Sequence, residues 1–122
     1  MFDNGQNILL AKKHNMGVIG IRSHAAGALS SGLDRPISDD NDLLSQDVIS
    51  AAQLDFLLNG PIRTLSQAAT IFCLMNPDIH TTVPGVKNQS ETEEMANCID
   101  IDPIDHAQMT RLTELYCKGF RD

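Results

Sequence analysis

Only two stretches of this chain have the composition of a β-strand, at about residues 18–23 and 79–83, and helical and loop sequence lies between them. The first opens with Val18-Ile19-Gly20-Ile21, a continuous apolar run of the kind a parallel strand shows when both its faces are covered. The second carries the β-branched Thr81, Thr82 and Val83. Strands separated by helices imply a parallel α/β layer. Two strands alone do not complete one, because their apolar faces and outer backbone groups stay uncovered. Either further chains supply the missing strands, or these 122 residues are one part of a larger fold.

Helical sequence fills most of the rest. Residues 7–14 read as a short helix that Asp3 or Asn4 could cap. Residues 47–59 place Val48, Ala51, Ala52 and Leu58 at helical spacing, with Gly60 in a C-terminal stop position. Thr64 and Gln67 have capping-box spacing. Behind them Leu65, Ala68, Ala69, Phe72 and Met75 form one apolar stripe, which Asn76-Pro77 closes. A further helix spans about residues 90–97. In the last, Asp102 caps, Pro103 takes the first helical position, and Met109, Leu112, Leu115 and Tyr116 point inward as far as about Lys118. Residues 33–45 read as a polar loop with Pro36 and the acids Asp34, Asp39, Asp40 and Asp42.

Charge narrows the function classes. The net charge is −7, with 42% hydrophobic and 20% charged residues, which argues against nucleic-acid binding and against adhesion to anionic membranes. The N-terminal residues lack a signal-peptide pattern, and no apolar run approaches a membrane span. Cys73, Cys98 and Cys117 are odd in number and widely spaced, so neither a disulfide framework nor a zinc site is expected. A reduced, cytoplasmic setting fits.

The segment with most chemical content runs from Thr81 to Glu94. A strand stops at Pro84-Gly85, and a helix begins with Asn88 as N-cap and Glu91 three residues later. Unpartnered N–H groups at a helix start attract anions, and Lys87 adds a positive charge there. The alternative is an ordinary strand–turn–helix corner with a solvated Lys87. Elsewhere His14, His24, His80 and His106 lack metal-ligand spacing, and only His24 sits in a loop suited to ligand contact. Asp39, Asp40 and Asp42 lack the Gly and bidentate Glu of a calcium loop. Ser23, Ser30 and Ser31 lack a nucleophile elbow. The cysteines read as buried, inert thiols.

Three segments in register resemble the aldo/keto reductase family. Residues 18–32, Val18-Ile19-Gly20-Ile21-Arg22-Ser23-His24-Ala25-Ala26-Gly27-Ala28-Leu29-Ser30-Ser31-Gly32, are similar to its seventh strand and following loop. Thr64-Leu65-Ser66-Gln67-Ala68-Ala69 through Asn76-Pro77 resembles the helix before its last strand. Thr82-Val83-Pro84-Gly85-Val86-Lys87-Asn88, with Glu93-Glu94 downstream, resembles its last strand and cofactor-phosphate loop. The resemblance implies the C-terminal third of a (β/α)₈ barrel, a fold that usually needs ~250 residues. It also implies NADP(H)-linked interconversion of carbonyls and alcohols, with a small carbonyl or sugar as the parent enzyme's substrate.

By that resemblance, Ser23, His24, Ala25, Gly27 and Leu29 lie along the cofactor pyrophosphate. Gly85, Val86, Lys87 and Asn88 hold the adenosine 2′-phosphate, and Glu94 faces the adenine. Two positions depart from the pattern. Met95 stands where relatives often have Asn, and Glu91 where they often carry Gln or Arg. A carboxylate beside a phosphate repels it and offsets part of the attraction of Lys87. The family's catalytic Asp, Tyr, Lys and His have no counterpart here, so the chain alone is expected to be inactive. The alternative is a non-catalytic, barrel-derived binding protein that self-associates through open strand edges.

Overall fold

A computed structural model describes residues 5–30 and 42–120. In chain order the elements are α1 (Gly5–Lys13), β1 (Ile19–Ile21), a 3₁₀ turn (Ala25–Gly27), α2 (Asp42–Ala51) and a second 3₁₀ turn (Asp55–Leu57). They continue with α3 (Leu65–Leu74), β2 (Thr81–Val83), α4 (Gln89–Ala96), a third 3₁₀ turn (Asn97–Asp100) and α5 (His106–Cys117). This is a mixed α/β arrangement with two parallel strands. Asp3, Asn4, Ser31, Gly32, Asp34, Pro36, Asp39 and Asp40 lie outside the described residues.

The two strands pair in parallel, with Ile19 opposite Thr81, Gly20 opposite Thr82 and Ile21 opposite Val83. One more rung extends the ladder, because the His80 amide donates to Val18 O at 3.0 Å. The ring nitrogen Nδ1 of His80 then accepts from the Val18 amide at 3.1 Å. Side chains alternate across the sheet. Gly20 and Thr82 fall on one face, and Ile19, Ile21 and Val83 on the other. The second face is bare: Ile19 is 61%, Ile21 69% and Val83 59% exposed. The expected cover on both faces is therefore not provided by the described residues.

Helix α3 organises the interior. Thr64 caps it, accepting from the Gln67 amide at 3.1 Å. Gln67 Oε1 in turn accepts from the Arg63 amide at 2.8 Å, one residue further back than a standard capping box. The helix buries Ala68 and Ile71 against Leu54, Leu57, Ile62, Cys98 and Ile104. Phe72 and Met75 pack at the margin of that cluster, together with Met109, Leu112 and Leu115 of α5.

Several helix limits differ from those read in the sequence. Helix α2 starts at Asp42, so the last residues of the expected loop are helical. Leu44, Val48 and Ala51 supply its apolar spacing, and Leu44 and Ala51 are buried. The helix stops at Ala51 rather than continuing to Asn59. There the chain tightens into i→i+3 turns that deliver Leu54 and Leu57 to the core. Gly60 is thus no helix stop. At φ 59° it sits inside a turn closed by the Ile62 amide on Asn59 O.

Helix α5 begins at His106 and is capped by Asp105 in a full capping box with Gln108, not by Asp102. Ile104 is 4% exposed. Drawing it into the core holds the chain extended past Pro103 and delays the helix. Tyr116 is exposed instead of facing inward. Cys117 is also exposed, whereas Cys73 and Cys98 are buried as expected. No helix among the described residues is long and apolar enough to cross a membrane.

Candidate functional site

Both loops that stand out in the sequence follow the C-terminal ends of the parallel strands, and they meet. His24 and Ser30 from the loop after β1 and Gly85 and Val86 from the loop after β2 line one small cleft of about 20 Å³. Ser66 of α3 and Glu91, Glu94 and Met95 of α4 complete it. Four of the ten residues assigned to a cofactor by resemblance therefore line this cleft: His24, Gly85, Val86 and Glu94. Ser23, Ala25, Gly27, Leu29, Lys87 and Asn88 belong to the same two loops but do not line it.

The loop after β1 is wound tightly. Arg22, Ala25 and Ala26 hold φ values of 59°, 48° and 56°, and Gly27 lies at 102°. Only the glycine adopts such a conformation freely; each of the others costs about 1–2 kcal/mol. The winding is held by amides of the loop itself. Gly27 and Leu29 both donate to His24 O, at 2.9 and 3.3 Å. Ala25 donates to Arg22 O, Ala28 to Ala25 O and Ser30 to Gly27 O. The Ser30 hydroxyl adds a bond of 2.8 Å to Gly27 O, and Ser66 donates to Leu29 O at 3.0 Å.

His24 is buried, and its Nε2 lies 3.3 Å from Thr70 Oγ1. The same hydroxyl lies 3.3 Å from Met95 Sδ, a weak acceptor. A hydroxyl has one proton, so the direction of the His24–Thr70 bond follows the imidazole tautomer. The chain His24–Thr70–Met95 ties the first loop to α3 and α4. Ser23 is buried too, but its hydroxyl has no partner among the described residues. Such a group costs about 1–3 kcal/mol.

The loop after β2 is closed from within. Asn88 Oδ1 accepts from the Glu91 amide at 2.9 Å, and Glu91 Oε2 accepts from the Lys87 amide at 2.7 Å. Asn88 Nδ2 donates to Glu91 Oε1 at 3.2 Å. The Glu91 carboxylate also stands in the first turn of α4, where the positive end of the helix dipole stabilises it. Glu94 accepts from the Thr64 hydroxyl, the group that caps α3. One carboxylate thus closes the loop, and the other ties α4 to a neighbouring helix.

Ser66 and Thr70 do not stand out as site residues in the sequence. Their signal is an i, i+4 pair of small polar residues along α3, beside its apolar stripe. Glu91 and Met95, the two departures from the family pattern, form part of the cleft wall.

No three His, Cys, Asp or Glu side chains among the described residues converge on a metal position. Burial pushes the Cys73 thiol up, and burial with the Glu94 charge pushes the Cys98 thiol up. Both are thereby disfavoured as nucleophiles. A larger cavity, about 470 Å³, adjoins the C-terminal end of α3. Ile8 and Leu9 of α1, Phe72 and Met75, Ile79, and Met109 of α5 give it apolar walls. Asp78 at its rim is paired with Lys12 at 2.8 Å. No protein-family model, curated protein or solved structure matches this chain.

Proposed function

We propose that this chain is the C-terminal portion of an aldo/keto reductase-type barrel and carries none of the parent enzyme's catalytic groups. One observation carries the reading. The loops that follow two parallel strands converge on a single cleft at the strands' C-terminal ends. That end is where α/β barrels and open parallel sheets form their sites. Helix α3, sequentially between the strands and packed on β2, supports the same reading as a crossover helix. The parent reaction is reduction of a small carbonyl or oxidation of an alcohol or sugar. A nicotinamide dinucleotide, NADP(H) by resemblance, supplies or takes the hydride.

The residues of this chain do not fit that cofactor as they stand. Phosphates need free N–H donors, and the amides of Ala25, Gly27, Ala28, Leu29, Ser30 and Lys87 are bonded internally. What the chain does contribute is structural: two adjoining strands, their covering helix and one wall of the cleft.

The native transcript tests the proposal. Sequence extending in frame upstream of Met1, encoding further βα units with an Asp, a Tyr, a Lys and a His, supports it. An in-frame stop codon directly upstream removes the catalytic parent.

A second reading rests on its own observation. Ile19, Ile21 and Val83 form an exposed apolar face, and the described sheet has only two strands, as a binding protein that associates through its strand edges would have. Size-exclusion chromatography with light scattering separates the two. A single defined oligomer supports the binding protein; a polydisperse sample that binds an apolar dye supports the barrel portion.

A further inference from the structure

We infer that Glu91 is an internal anion that closes the N-terminus of α4 to phosphate, so the cleft of this chain rejects phosphate-bearing nucleotides. The choice of ligand rests on the reading proposed above; the closure rests on contacts alone.

Three observations support it independently. First, the Glu91 carboxylate already engages two donors at the start of α4. Its Oε2 accepts the Lys87 amide at 2.7 Å, and its Oε1 lies 3.2 Å from the side-chain nitrogen of Asn88. The Glu91 amide is itself consumed by Asn88 Oδ1. Second, in the opposite loop the amides of Gly27, Ala28, Leu29 and Ser30 all bond within that loop. Third, the cleft has two carboxylates in its wall, Glu91 and Glu94, and only about 20 Å³ of space. That is room for about one water. A dianion entering there would meet two like charges and find these backbone donors already engaged.

The test is an amide NMR titration of the nitrogen-15-labelled full chain with inorganic phosphate and with adenosine 2′,5′-bisphosphate. The chains compared are wild type, Glu91→Gln and Glu91→Ala. Glu91→Gln keeps a side-chain acceptor for the Lys87 amide without the charge, so it guards against simple loss of the cap. In wild type the Lys87 and Asn88 amides stay unmoved by either ligand. In Glu91→Ala they shift saturably, with phosphate affinity raised about tenfold or more, and Glu91→Gln lies between. Saturable shifts at these amides in wild type overturn the inference, as does the absence of any gain in both variants. A gain for inorganic phosphate with no further gain for the bisphosphate upholds the role of Glu91 and counts against the dinucleotide reading.

Discussion

Thr64 shows how much one side chain holds in this molecule. Its hydroxyl oxygen caps α3 through the Gln67 amide, and its proton goes to Glu94 on α4. Thr64→Ala removes both bonds and leaves a half-buried carboxylate short of a donor. Loss of an N-cap alone costs about 0.5–2 kcal/mol, so a destabilisation of about 2 kcal/mol is expected, read by urea unfolding. Thr64→Ser keeps the hydroxyl and recovers most of it.

The cysteines divide by place. Cys117 is exposed, whereas Cys73 and Cys98 are buried with raised pKa. Under native conditions an alkylating reagent modifies Cys117 first, and mass spectrometry of the digested chain checks the order. The same shifts have a pH consequence. Below the ordinary thiol value of 9.0, Cys73 is protonated in both folded and unfolded chains, and stability does not depend on it. Above 9.0 the unfolded chain releases protons that the fold retains. The unfolded state then binds fewer protons, and stability falls as pH rises. Urea midpoints on either side of that value, at about pH 8 and about pH 10, measure the difference.

Among the elements, the strands are short and one holds a glycine it does not need. A Cβ added to Gly20 would meet Ile79 Cγ2 at 3.6 Å and Thr81 O at 3.7 Å, which are ordinary contacts. Its φ is not positive. Gly20→Ala is therefore expected to stabilise the chain by about 0.5–1 kcal/mol, mainly by restricting the unfolded backbone. Urea unfolding checks this too, and a loss of stability would mean that β1 sits closer to its neighbours than these distances allow. The helices, by contrast, are well specified at their starts. Asn88 and Glu91 for α4, Thr64 and Gln67 for α3, and Asp105 and Gln108 for α5 each place acceptors on the first amides or on those just before them. Gln108 has a second role, since its Nε2 donates to Phe56 O at 3.0 Å and so joins α5 to the turn before α3.

The whole molecule has a covered side and a bare side. Helices α3 and α5 share a core with the turns between them, while the outer face of the sheet shows Ile19, Ile21 and Val83 to solvent. Apolar surface in that amount, on a sheet of two described strands, favours association. The double variant Ile19→Lys with Ile21→Lys is expected to bind less apolar dye and to run at lower mass on light scattering. Its thermal midpoint should move little, because both side chains are already largely exposed. Unchanged mass would show that any association uses another surface. The apolar cavity between α1, α3 and α5 is the first place to look in that case.

Element types, the parallel pairing implied by strands set among helices, and the caps at Thr64 and Asn88 are all legible in the chain before it folds. These are local matters: periodicity, turn residues and acceptors three residues from their donors act within one or two helical turns. The two loops of the cleft are visible in the same way, residue by residue. Packing settles the places where competing local signals give way. Asp102-Pro103 has the form of a helix start, but burial of Ile104 outweighs it and moves the start to His106. Residues 47–59 have helical spacing, but Leu54 and Leu57 reach the core only if the helix ends at Ala51. Tyr116 lies within the run of α5's apolar residues, on the same side as Met109 and Leu112, and is still 41% exposed in the helix's last turn. The role of Glu91 belongs to the same class. A capping-box glutamate is visible in the sequence, but that its carboxylate lines a cleft with Glu94 and His24 follows only when the strands pair and set their two loops side by side.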